Sequence, residues 1–96
     1  MITIGELTLN SGFKYTIEIH EVEIFQMSIL HGGSFKVTEE ISSQLNKDAH
    51  EAGSWQAIQE MNIKFSHRGN EYDADIIVKD ILSDYPKFKI IKIHSM

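Results

Sequence analysis

The stretch Ile63 to Val78, IKFSHRGNEYDADIIV, holds two runs of alternating apolar and polar residues around a glycine-containing turn, and it marks the chain as a β-sheet protein. Ile63, Phe65 and His67 share one face of the first arm; Tyr72, Ala74, Ile76 and Val78 share one face of the second. Period-two alternation is the signature of a half-buried strand, because successive side chains leave a strand on opposite sides. With Gly69-Asn70 as the central pair of a type II′ turn, His67 faces Tyr72, Phe65 faces Ala74, Lys64 faces Asp75 and Ile63 faces Ile76. A slip of one residue would turn Phe65 and Ile76 to water. In this register His67 is a core-edge histidine bonded to the Tyr72 hydroxyl.

Upstream, Phe13, Tyr15, Ile17 and Ile19 alternate with Lys14, Thr16, Glu18 and His20 and predict a second strong strand. Before it, Ile2 and Ile4 change phase to Leu7 and Leu9 across Gly5-Glu6, the pattern of a strand with a bulge. Asn10-Ser11-Gly12 supplies a turn. The strand beginning at Phe13 extends toward Leu30, His31-Gly32-Gly33-Ser34 turns the chain, and Phe35-Lys36-Val37 is a short return strand. Downstream, Asp84-Tyr85-Pro86 breaks the chain and Lys87 to His94 is a final strand, whose Lys87, Lys89 and Lys92 suit an exposed edge. Between the two strand groups the alternation disappears. Ile41 and Leu45 lie four residues apart, Thr38 is positioned to cap a helix, and Asp48 and Glu51 have capping-box spacing for a second helix to about Met61. Trp55, Ile58 and Met61 face the sheet. The expected fold is therefore α+β: one domain, residues 1–96, with an antiparallel sheet of five to six strands and one or two helices packed on one face.

Composition narrows the function. The chain has 96 residues, no cysteine and a formal charge of −5. Without thiols there is no disulfide framework. The acidic balance opposes direct nucleic-acid binding, which needs lysine and arginine to neutralise phosphates. Met1 to Glu6 lacks a basic, apolar leader and no run approaches a membrane span, so a cytoplasmic location is expected. His20, His31, His50, His67 and His94 have no metal-ligand spacing, and no glycine-rich nucleotide or phosphate motif occurs; no cofactor is expected.

What remains is the carboxylates. Glu18, Glu21 and Glu23 lie along the second strand region, and Glu71, Asp73 and Asp75 share the polar face of the late hairpin. Gathered on one sheet face, these six would bind a basic, nucleic-acid-handling protein, with charge guiding the encounter. On this reading the chain is an inhibitor-type module, acting as immunity proteins, antitoxins and phage-encoded anti-defence inhibitors do. The simplest competing account makes the same carboxylates the wet side of an amphipathic sheet. Two alternatives differ in class. One is a small hydrolase or nuclease pairing His20 or His67 with Glu18, Glu71 or Asp73; the other is a homodimer or scaffold module that pairs through Lys87 to His94.

Overall fold

A computed structural model describes residues 2–22 and 32–94. It contains six strands, β1 (Ile2–Thr8), β2 (Lys14–His20), β3 (Gly32–Phe35), β4 (Glu60–His67), β5 (Asn70–Val78) and β6 (Lys87–His94), with one α-helix, α1 (Glu39–Ala52), and a 3-10 turn at Gln56–Ile58. The strands close into a barrel in the order β1-β2-β3-β6-β5-β4, and every neighbouring pair is antiparallel. The expected α+β sheet with helices on one face is thus corrected to a closed β-barrel. Closure follows from how the two three-stranded meanders meet: β1 pairs with β4, and β3 pairs with β6. Hydrophobic alternation is the same in an open sheet and in a barrel, so the sequence pattern does not separate them.

The interior is filled by side chains. Leu7, Ile17, Ile19, Phe35, Ile63, Ala74, Ile76, Val78 and Ile90, from all six strands, are at most 2% exposed and belong to one cluster. The bulge expected in β1 is absent. Its pairing with β2 runs unbroken from Ile2 opposite His20 to Thr8 opposite Lys14. Strict alternation therefore turns Thr3, Gly5 and Leu7 inward and leaves Ile2 and Ile4 outside, 53% and 61% exposed. Position 5 has no room for a side chain: a Cβ there would lie 2.6 Å from Ile19 Cδ1 and 2.7 Å from the Lys64 carbonyl oxygen. The irregularity lies instead in β6, where Asp75 faces Lys92 but Ile76 faces Ile90, so Ile91 is the extra residue.

Alternating strand directions place the end of β3 and the start of β4 at the same end of the barrel, on opposite sides of the ring. Helix α1 makes that connection and so crosses the barrel mouth. Its buried positions Ile41, Leu45, Asp48 and Ala49 fall on one stripe at helical spacing. The Thr38 hydroxyl accepts from the Ile41 amide at 3.3 Å, and Gly53 ends the helix in the left-handed region at φ 83°. The second helix expected from Asp48 does not form. Asp48 lies inside α1, where its carboxylate accepts from the Ser11 hydroxyl and the Gln44 amide and ties the helix to the β1–β2 turn. Ser54 caps only the 3-10 turn, accepting from the Ala57 amide, and Met61 is a buried residue of β4.

Three further expectations change. The β4–β5 turn centres on Arg68-Gly69, with φ 51° and 81°, which is the type I′ pattern of two positive φ values. The register shifts by two: His67 faces Asn70, Phe65 faces Tyr72 and Ile63 faces Ala74. A two-residue shift preserves the faces, so Phe65 and Ile76 stay buried, but Tyr72 stacks on Phe65 at 5.5 Å rather than pairing with His67. Gly32 to Ser34 belong to β3 instead of a turn. A Cβ at Gly32 would lie 1.9 Å from the Phe88 carbonyl oxygen, so glycine lets β3 approach β6. Finally, β6 is no edge strand, since it pairs with both β5 and β3. β2 ends at His20, and Glu21 at φ 54° turns the chain out of the strand, so the expected run toward Leu30 is interrupted there; residues 23–31, His31 included, lie outside the described residues.

Candidate functional site

The barrel divides the six candidate carboxylates. β2 and β5 are three places apart in a ring of six, which is the maximum separation. Glu18 and Glu21 are on one side, Glu71, Asp73 and Asp75 on the other, and Glu23 lies outside the described residues. The two halves do not form a common acidic face.

On the β5 side, Asp73 and Asp75 sit in cross-strand rows beside basic and polar neighbours. Glu6 of β1, Lys64 of β4, Asp73 of β5 and His94 of β6 occupy one lateral row; Thr8, Asn62, Asp75 and Lys92 occupy the next. The Asn62 side-chain amide donates to Asp73 Oδ1 at 2.6 Å and to Asp75 Oδ1 at 3.2 Å, while His94 Nε2 lies 3.0 Å from Asp75 Oδ2. The His94 hydrogen bond, with the Asn62 amide second, holds the Asp75 carboxyl below the usual carboxylate range. A shallow exterior cleft of about 280 Å³, bordered by Thr8, Asn62, Asp75 and Ile91, lies over the second row. Asp73 and Asp75 thus have partners, so their first role is to stitch three strands together, whereas Glu71 lies opposite Ser66.

The β2 side is different. Ile4 faces Glu18 and Ile2 faces His20 across the β1–β2 pair. The Lys36 amide bonds the Glu18 carbonyl and the Val37 amide bonds the Asp84 carbonyl, so the start of α1 and the loop before β6 converge on β2. Tyr85 from that loop meets the His20 ring edge-on, with centroids 5.4 Å apart and planes at 89°. Lys36 lies near Glu18, and Lys87 borders a cleft with Glu21. Lys36 reaches Glu18 only at 4.0 Å, with both side chains nearly half exposed. At such exposure the pair is solvated and worth little. Further up β2, burial raises the Tyr15 hydroxyl pKa, and the charges of Glu40 and Asp48 add to that effect.

Among the described residues no group of three or more histidines and carboxylates could hold a metal ion. The hydrolase reading paired His20 or His67 with a carboxylate. Among the described residues the pair that forms is His94 with Asp75, which sequence reasoning missed because it depends on β6 lying beside β5 in one particular register. Asn62 was missed for the same reason: it becomes informative only through its cross-strand neighbours Asp73 and Asp75. No helix among the described residues is long and apolar enough to cross a membrane.

No protein-family model, curated protein or solved structure matches the chain.

Proposed function

We propose that the protein is a binding module that occupies a basic surface of another protein, and that the β2 side of the barrel carries this role. The supporting observation is the distribution of charge. Asp73 and Asp75 of β5 are matched row by row with Lys64, Lys92, His94 and Asn62, whereas on the β2 side Glu18 has one long contact to Lys36 and Glu21 borders a cleft with Lys87. Exposed carboxylates held by no more than a solvated ion pair remain available to an incoming lysine or arginine. They speed encounter with such a surface and select against acidic ones. Covering a nucleic-acid-binding surface in this way inhibits it, because the partner's cations are then taken up by carboxylates instead of phosphates.

The test is retention from a lysate of the source cells on the immobilised protein, at low and at high salt, with mass spectrometry of what is held. The expected result is a discrete basic protein retained at low salt, lost at high salt, and lost at low salt from a Glu18→Lys/Glu21→Lys variant. Retention that is indifferent to both salt and these substitutions contradicts the proposal.

A further inference from the structure

The same side of the barrel carries an apolar patch that neither the core nor the strand pairing requires. Ile2 is 53% exposed, Ile4 61% and Tyr85 50%. Single exposed apolar residues are ordinary, but a contiguous group marks a contact surface. These three are contiguous by register: Ile4 follows Ile2 on the outer face of β1, Ile2 lies opposite His20, and Tyr85 packs on the His20 ring. Glu18 lies opposite Ile4, while Glu21 and Asp84 adjoin His20 and Tyr85 in the chain. Lys64 and Glu71 border Ile4 on its other flank, so the patch is apolar and aromatic at its centre and predominantly acidic at its margin. Beneath it, the His20 Nε2 atom is buried without a hydrogen-bond partner among the described residues.

We infer that Ile2, Ile4 and Tyr85 form the apolar centre of a docking surface for a protein segment whose apolar side chains are flanked by lysine or arginine. This rests on the reading of the β2 side as the binding side and goes further, since charge alone would not need an apolar centre. Charge complementarity selects the occupant: the carboxylate margin favours a basic partner and disfavours a second copy of this acidic chain. An interface with an apolar, aromatic centre and a polar rim concentrates its binding energy in the few residues at the centre.

The test uses three synthetic peptides as probes, (Arg-Leu)4, (Arg-Gly)4 and (Glu-Leu)4, titrated into the isotope-labelled protein and followed by backbone amide NMR shifts. The expected result is saturable binding of the arginine–leucine peptide, with the largest shifts at residues 2–4, 18–21 and 84–85. The Ile4→Ser and Tyr85→Ala variants, both at exposed positions, should weaken it about tenfold while retaining the native spectrum elsewhere; this corresponds to about 1.4 kcal/mol per site. If arginine–leucine and arginine–glycine bind equally well to the same residues, the apolar centre is refuted while the electrostatic proposal stands. Shifts confined to β5, or no binding of either cationic peptide, overturn both. Binding of glutamate–leucine, or growth of the mass with concentration through Ile2 and Ile4, overturns the choice of a basic partner.

Discussion

At the scale of single residues, what each side chain does is set by its cross-strand neighbours more than by its own type. Asp75 is a surface carboxylate in the sequence, yet His94 and Asn62 both bond it in the fold. Its pKa is lowered on folding, so its contribution to stability is present above the unfolded carboxylate value of about 3.9 and is lost as pH falls through the folded value. Urea denaturation of the wild type and Asp75→Asn should therefore differ at pH 6 and converge toward pH 2; a gap that does not change with pH would mean the carboxylate charge plays no part. Asp48 is 6% exposed and joins α1 to the β1–β2 turn through Ser11. Asp48→Ala leaves the Ser11 and Gln44 donors without their acceptor and should cost about 1–3 kcal/mol in the same measurement. Gly5→Val should cost more than either, because its first added atom meets the Lys64 backbone, which cannot rotate away.

Among the elements, the strands were legible where both faces contrast. Alternation marked β5 and β6 close to their observed limits, and the start of β2 and the end of β4, since burying one face of a strand writes period two into the sequence. It failed where a local pattern has two meanings. The Asp48 to Glu51 spacing looks like a helix start, but Asp48 faces inward on a helix already begun at Glu39. In the β4–β5 turn, glycine serves a type II′ turn at the first central position and a type I′ turn at the second. Here Arg68 takes the first position at φ 51° and Gly69 the second. Arginine is strained in that region, whereas asparagine tolerates it and Asn-Gly is the favoured type I′ pair. Arg68→Asn should raise stability by roughly 0.5–1 kcal/mol, read as a higher thermal midpoint. An unchanged or lower midpoint would argue against the type I′ turn.

At the scale of the whole molecule, barrel closure decides which carboxylates can act together. The acidic residues themselves were legible, but their grouping was not. Glu18 and Asp75 share a face only in an open sheet, and the β1–β4 pairing that closes the ring joins segments more than fifty residues apart. No local periodicity encodes such a long-range pairing. Nor did the reading of β1 find the exposed isoleucines: Ile2 and Ile4 suggested a core strand with a bulge, and only the unbroken register puts them outside. Closure places Asp73 and Asp75 among the bonds that hold the wall together and sets Glu18 and Glu21 on the far side of the ring, where the proposed partner would bind. The most direct test compares two variants of equal charge change, Glu21→Gln/Asp84→Asn and Asp73→Asn/Asp75→Asn, for low-salt affinity toward the retained basic protein and for thermal midpoint. The first pair should lose about tenfold in affinity with its midpoint unchanged, and the second should lose several degrees with its affinity unchanged. The opposite pattern, with affinity lost only on the β5 side, would contradict the account.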